Sequence, residues 1–352
     1  MADAEDIKYM RRCLELAAKG EGLTRPNPMV GSVIVHDGKI IGEGYHIRSG
    51  GPHAEVLAIQ SVEDKKMLER STIYVSLEPC SHFGKTPPCA DLIIEKRIPR
   101  VVIGAVDSNE RVSGKGIAKL EKAGCEVLKG VLEAESRWLN RRFFTFHEKK
   151  RPYIILKWAE SSDTFIDVVR APGAATEPNW ITGKPERALV HKWRSEEQAI
   201  MVGGGTVRAD DPMLNVRDWS GRDPLRIILS ATADMSNSSH VFSDGRKTIL
   251  FTRNTEAHFP DTDLVRISRE SEAIHQIAGY LYEKGIQSLF VEGGATVLHE
   301  IISLGLWDEA RIFKGKRSFG EGVRAPEISG KLKSVNRFRA SSLEVILNAS
   351  PA

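Results

Sequence analysis

Thr72-Ile73-Tyr74-Val75-Ser76-Leu77-Glu78-Pro79-Cys80 reads as a short apolar strand that stops at a proline and delivers a cysteine at its end. Upstream, His53 to Val62 has helical character behind Pro52. Downstream, Ala90 to Arg97 resumes it after a second cysteine, Cys89. The eight residues between the cysteines, Ser81 to Pro88, include Gly84, Pro87 and Pro88, so they form a loop rather than a helix. Strand and helix go on alternating, with Val101 to Val106 a buried-type strand, Gly116 to Ala123 a helix and Cys125 to Leu128 a short strand. Before them stand a helix over Ile7 to Lys19 and a hairpin, Met29 to His36 and Lys39 to Tyr45, turned by Asp37-Gly38. Such alternation predicts a layered α/β domain.

Within it, His53, Cys80 and Cys89 offer one imidazole and two thiolates. Structural zinc sites usually close with four protein ligands, whereas a hydrolytic site leaves the fourth position for water, so three donors argue for catalysis. Two thiolates neutralise the dication, and the remaining Lewis acidity lowers the pKa of bound water from about 15.7 toward roughly 7. Positions two apart do not share a helix face, so with His53 on the metal Glu55 is free to carry the proton. Zinc deaminases use this arrangement, with hydroxide attacking an amino-bearing ring carbon and a non-ligand Glu shuttling protons. A lone His-x-Glu is common by chance and a lone Cys is usually a small buried hydrophobe, so the ordered combination carries the signal. With His82 as a fourth ligand the same residues would make a non-catalytic zinc module, and that alternative stays open.

At 352 residues the chain holds two full-sized cores, and 41% apolar with 28% charged residues is ordinary for a globular protein. A net charge of +3 and 7% aromatic residues give little support to a nucleic-acid partner. The four cysteines show no disulfide framework, the acidic start Met1 to Asp6 is not a secretory signal, and no stretch approaches the ~20 apolar residues of a membrane span. A cytoplasmic enzyme is expected.

A helix over Glu133 to Glu148 ends at Lys149-Lys150-Arg151-Pro152, which sets the expected domains at 1–150 and 151–352. The second half opens on a strand, Tyr153 to Ala159, and passes through an irregular segment, Glu160 to Asn179. A helix over Pro185 to Glu197 follows, then a strand over Ala199 to Val202 that ends in Gly203-Gly204-Gly205-Thr206. Strands over Arg226 to Leu229, Thr248 to Thr252 and Ser288 to Val291, and helices over Ala273 to Glu283 and Val297 to Leu304, complete it. Glu292-Gly293-Gly294-Ala295-Thr296 is a second glycine turn after an apolar strand. Glycine allows close backbone approach and a helix N-terminus offers free N–H groups, as a dinucleotide pyrophosphate needs, although no Gly-x-Gly-x-x-Gly is present.

Arg25-Pro26-Asn27-Pro28-Met29-Val30-Gly31, His53-Ala54-Glu55 and the run Leu77 to Cys89 with its Ser-His-Phe-Gly-Lys-Thr-Pro-Pro insert resemble the deaminase half of the bifunctional riboflavin biosynthesis deaminase/reductases. Lys157-Trp158-Ala159, Trp180-Ile181-Thr182, Arg194, Gly205-Thr206-Val207, Asp210-Asp211-Pro212, Leu214, Arg217, Pro224-Leu225-Arg226 and Glu292-Gly293-Gly294 are similar to the reductase half of the same family. The resemblance implies a cytidine-deaminase-like three-layer α/β domain followed by a dihydrofolate-reductase-like α/β domain, one zinc ion in the first and NADPH in the second. It implies hydrolytic removal of ammonia from a diaminopyrimidinone ribosylamino phosphate, then reduction of the ribosyl side chain to ribityl. Asn27, His82 and Lys85 would contact the first substrate. Ala159, Trp180, Thr206, Asp210 and the turn Gly294, Ala295 and Thr296 would meet NADPH, and Arg194, Leu214, Arg217 and Glu292 the second substrate. Arg suits that role, because it pairs bidentately with phosphate oxygens. The partners implied are small phosphorylated pyrimidines, with no nucleic acid or membrane, and a homo-oligomer is compatible. The chain departs from the family at Thr164, where a glycine is usual, at Pro178, where a small polar residue precedes Trp-Ile-Thr, and at Ala231, where a hydroxyl is common. An active deaminase joined to a degenerate reductase half is therefore the alternative.

Overall fold

Along the strands of the chain's first unit, Met1–Lys149, apolar side chains alternate between two faces, and both faces are covered. The computed structural model describes residues 2–81, 87–109, 113–169, 179–269 and 272–349. The unit runs α1 (Ala4–Ala18), β1 (Gly31–His36), β2 (Lys39–Tyr45), α2 (Ala54–Ser61), a short 3-10 helix (Lys65–Arg70), β3 (Thr72–Leu77), α3 (Cys89–Glu95), β4 (Arg100–Ala105), α4 (Lys115–Lys122), β5 (Glu126–Lys129), α5 (Glu133–Leu139) and α6 (Arg141–Lys149). The sheet order is β2-β1-β3-β4-β5, antiparallel through β3 and parallel from β3 to β5. Ile34, Ile73, Val75, Val101 and Ile103 face α2, α3 and α4, while Val33, Val35, Tyr74 and Val102 face α1. The result is three layers.

Two features position the layer that carries α2 and the loop before β1. Helix α2 lies directly on β2, because Gly44 carries no side chain: a Cβ there would stand 2.5 Å from both the Ala54 carbonyl and the Ala58 nitrogen. The single helix expected over Glu133 to Glu148 is instead two, α5 and α6, broken at Asn140. The Asn140 amide donates to the Met29 carbonyl and accepts from the Met29 N–H, both at 2.8 Å, and so hooks the loop that carries Asn27. A long-range pair of hydrogen bonds overrides helical periodicity there.

The second unit, Lys150–Ala352, continues with β6 (Tyr153–Glu160), β7 (Phe165–Asp167), α7 (Lys184–Glu196), β8 (Ala199–Gly203), α8 (Gly204–Asp210), β9 (Leu225–Leu229), α9 (His240–Ser243), β10 (Thr248–Thr252) and β11 (Thr262–Arg266). It ends with α10 (Ala273–Glu283), β12 (Ser288–Val291), α11 (Ala295–Ser303), β13 (Glu309–Gly315), β14 (Val323–Arg324), β15 (Lys331–Arg337) and β16 (Ser341–Leu347). Nine strands order as β11-β10-β9-β8-β12-β6-β13-β16-β15, parallel up to β13 and antiparallel beyond it. Ile154, Leu156, Met201 and Val291 face α10 and α11, whereas Tyr153, Ile155, Ile200 and Phe290 face α7, α8 and α9. The segment expected to be irregular, Glu160 to Asn179, contains β7, which pairs with β14, and the turn after β8 is itself the helix α8. Among the described residues no helix is long and apolar enough to cross a membrane.

Candidate active sites

The three side chains that could hold a metal in the first unit sit at element ends. His53 is the extended N-cap of α2 rather than part of its first turn, Cys89 opens α3, and Cys80 follows the end of β3. Glu55 lies in the first turn of α2 and is buried. Two helix N-termini thus meet at the cluster, where their unpaired N–H groups favour thiolate. The Cys89 N–H donates to Cys80 Sγ at 3.3 Å. His53 Nδ1 stands 3.2 Å from Cys89 Sγ and 3.6 Å from Cys80 Sγ, and all three donor atoms lie within 4.8 Å of one another. Tetrahedral zinc with ordinary Zn–N and Zn–S bonds would put such N and S atoms about 3.5 Å apart, so the cluster fits the ion.

Electrostatics points the same way. A hydrogen bond with Cys89, opposed by burial and reinforced by His53, brings the Cys80 thiol down to about 4. The contact with Cys80, together with burial, pushes Cys89 well up. Contact with Cys80 raises His53 to about 8. Burial raises Glu55 to about 7, which suits a carboxylate that both takes and gives a proton near neutrality.

Asn27 is tied to this cluster through His46, a residue that motif spacing did not single out. His46 Nδ1 is 3.0 Å from the Pro52 carbonyl and its Nε2 is 3.1 Å from Asn27 Nδ2. A carbonyl only accepts, so the proton is on Nδ1 and Nε2 accepts from Asn27. The His46 ring also meets the His53 ring edge-on, with centroids 5.7 Å apart. The role of Glu78 was not read from the sequence: its buried carboxylate accepts from the N–H groups of Asp107, Gly114, Gly116 and Ile117, which pins the start of α4 beside Pro79-Cys80. Acidic Glu78 directly before the Pro-Cys was the available signal. His82 and Lys85 lie outside the described residues.

In the second unit, Ala159, Trp180, Thr206, Asp210, Gly294, Ala295, Thr296, Arg194, Leu214, Arg217 and Glu292 all line one cavity of about 820 Å³. That is within the usual range for ligand sites, about 300–1,000 Å³. Strands β8 and β12 are parallel neighbours, so their glycine turns meet: Gly203 N–H donates to the Gly293 carbonyl, and a Cβ on Gly294 would stand 3.1 Å from Thr206 Oγ1. This bare backbone, with the start of α11 beside it, fits a dinucleotide pyrophosphate. Deeper in, Arg194 makes a bidentate pair with Glu292 at 2.6 and 3.0 Å, and Lys157 Nζ stands 3.8 Å from the same carboxylate. Burial works to raise Glu292, but Arg194 and Lys157 outweigh it and bring it down to about 2. Burial pulls Lys157 below the usual lysine range. A lysine within the otherwise apolar start of a central strand was the signal for this residue.

The departures are absorbed in part. Thr164 takes the left-handed conformation, with φ of 66°, and its Oγ1 accepts from Arg324 at 3.2 Å. Ala231 is exposed between Ser230 and Thr232, and Pro178 lies outside the described residues.

Residues 3–105 match the model of the cytidine and deoxycytidylate deaminase zinc-binding region, and residues 152–348 match that of the RibD C-terminal domain. The chain is 40% identical over 323 residues to the riboflavin biosynthesis protein RibD of Aquifex aeolicus, covering 90% of this chain and 89% of that one. It is 35% identical to RibD of Escherichia coli, covering 91% and 90%. Among solved structures it resembles the diaminohydroxyphosphoribosylaminopyrimidine deaminase/5-amino-6-(5-phosphoribosylamino)uracil reductase of Thermotoga maritima, with a TM-score of 0.87, 39% identity and coverage of 98% and 99%. RibD of Acinetobacter baumannii aligns with a TM-score of 0.87 at 30% identity, covering 98% and 99%.

Proposed function

The chain belongs to the RibD family of bifunctional riboflavin biosynthesis enzymes, with a zinc-binding deaminase region and an NADPH-using reductase domain, and from that premise we propose how its residues divide the two reactions. Residues 1–150 remove the exocyclic ammonia from a diaminopyrimidinone ribosylamino phosphate. Residues 151–352 reduce the product, 5-amino-6-(5-phosphoribosylamino)uracil, which is the compound in the name of the Thermotoga maritima enzyme.

In the deaminase half, His53, Cys80 and Cys89 would hold zinc, which when bound would supply the Lewis acidity that lowers the pKa of a water. Glu55 takes a proton from the attacking water at a carboxylate oxygen and passes it to the departing amino group. Asn27, fixed by His46, orients the pyrimidine ring, and the family resemblance assigns His82 and Lys85 to the same substrate. In the reductase half, Ala159, Trp180, Thr206, Asp210 and the turn Gly294-Ala295-Thr296 hold NADPH. Arg194 and Arg217 bind the ribose phosphate, while Leu214 and Glu292 shape the floor beneath it. Hydride transfer then depends on placement more than on acid or base groups. The observation that carries this reading is the gathering of every expected reductase residue on one cavity. It also favours a working reductase over a degenerate one. The reading puts the enzyme in a reducing cytoplasm, where both cysteines stay available to zinc, acting on a small phosphorylated pyrimidine rather than on nucleic acid.

Ammonia release and NADPH absorbance, followed separately on the purified chain with and without a zinc chelator, test it. Ammonia followed by NADPH oxidation, both lost on chelation when the diaminopyrimidinone is supplied, is the expected result. Ammonia without NADPH oxidation would overturn the reductase half, and neither signal would overturn both.

A further inference from the structure

One face of α7 grips the loop that follows α8. His191 and Arg194 stand three residues apart on the helix and so share a face. Arg194 Nη1 donates to the Asn215 carbonyl at 2.9 Å, and His191 Nδ1 accepts from the Arg217 N–H at 3.2 Å. An amide N–H only donates, so Nδ1 is bare and the ring proton sits on Nε2, which faces Asp218 Oδ2 at 3.5 Å. His191 is 3% exposed. Burial foremost, then repulsion by Arg194 and Arg217, brings it down to about 4 against the opposing pull of Asp218 and Glu292. At neutral pH the ring is an uncharged acceptor.

The loop has its own supports on either side of that contact. Leu214 bends it with a positive φ of 51°, Val216 N–H donates to Asp223 Oδ1 at 2.7 Å, and the Arg217 guanidinium donates to Asn215 Oδ1 at 3.1 Å. The His191 contact is the one that fixes the backbone of Arg217 itself. Arg194 and Arg217 both line the cavity, and His191 does not.

We infer that His191 is a positioning residue of the reductase, which holds the Arg217 backbone so that Arg217 and Arg194 present one preset site for the anionic end of the substrate. This rests on the reading of those two arginines as phosphate contacts. His191 touches neither substrate nor cofactor and acts through Arg217 alone.

The test is steady-state reduction of 5-amino-6-(5-phosphoribosylamino)uracil by the full chain carrying His191→Phe, His191→Asn, Arg217→Ala or His191→Phe with Arg217→Ala. Phe keeps a ring of similar size without an acceptor, whereas Asn brings Oδ1 close to the place of Nδ1. His191→Phe raises KM about 10-fold, the equivalent of one lost hydrogen bond, and leaves kcat within about 3-fold. His191→Asn recovers most of that loss. Arg217→Ala raises KM at least as far, and adding His191→Phe to it changes little, because the two act as one unit. Retained kcat for reduction and a cooperative urea transition of the second unit in the same preparations report that the unit carrying His191 is folded. If Arg217→Ala raises KM and His191→Phe does not, the positioning role is wrong and the phosphate reading stands. If Arg217→Ala leaves KM unchanged, the phosphate reading falls and takes the inference with it. Additive effects in the double variant, or equal loss in Phe and Asn, would show a merely structural histidine. Should the Phe variant fail to fold, His191→Leu takes its place in the same cycle with the same expectations.

Discussion

The metal donors of the first unit come from residues 53 to 89 and sit at the ends of elements, whereas the cavity of the second unit draws residues from Lys157 to Val323 on a central strand, helices and glycine turns. The first site is a short motif that the fold closes upon. The second exists only because parallel strands bring distant turns to one edge of a sheet, as open α/β sheets do. Their charges differ too. The first cluster gathers two thiols and an imidazole beside buried Glu55, whereas in the second unit Glu292 already pairs with Arg194 and faces Lys157 inside the protein. Substitution of a metal donor should therefore cost chemistry first, whereas substitution within the buried charge cluster around Glu292 should also cost stability.

Removing a donor is the sharpest way to try that contrast. Cys89→Ala is expected to take bound zinc, measured by elemental analysis, from about one per chain to near zero and deamination to background. NADPH-dependent reduction of supplied 5-amino-6-(5-phosphoribosylamino)uracil is expected to continue. Loss of both activities would mean that the sites are not separable.

Glu55→Gln keeps the donors and removes the proton carrier. Ammonia release is expected to fall about 10³-fold with zinc content unchanged. A variant that still deaminates at the original rate, or that loses zinc, would remove Glu55 from the role given to it.

Arg194→Ala tests the second unit, since it leaves Glu292 buried beside a single, more distant lysine. A loss of about 3 kcal/mol in urea unfolding of that unit is expected at neutral pH. The sign with pH is fixed by the lowered pKa of Glu292, from 4.5 to about 2: the pair's contribution is complete above the unfolded value and fades as pH falls through the folded one. The gap between wild type and Arg194→Ala should thus narrow between pH 4.5 and about 2. A gap that stays constant over that window would show that the ion pair is not its source.

A smaller effect sharpens the comparison from the other side. Asn140→Ala removes both hydrogen bonds to Met29 and leaves two buried backbone groups without partners, for a loss of about 2 kcal/mol. Because the freed loop carries Asn27, KM for deamination is expected to rise with little change in kcat, while reduction is unaffected. Unchanged deaminase kinetics would separate the hook from the site.

Sequence reading named the His53, Cys80 and Cys89 side chains that the fold gathers and the Glu55 beside them, and it found the strands and helices with strong periodicity. It placed the reductase residues through family resemblance rather than through spacing, because glycine turns and scattered arginines have no periodicity of their own. It missed the break at Asn140, the neutral His46 beside His53, and Glu78 at the start of α4. Each of these is a contact between residues far apart in the chain, with a partner that local pattern does not name.

What the sequence by itself determined is whatever depends on near neighbours: strand alternation, helix spacing, turn glycines and a donor set confined to residues 53–89. Tertiary structure alone decided that β12 inserts between β8 and β6, that β11 and the antiparallel pair β15 and β16 extend the sheet, and that His191 faces Arg217. The physical reason is range. Periodicity reports which side of an element is buried, whereas strand order and buried hydrogen-bond partners are selected by packing and polar satisfaction over the whole fold.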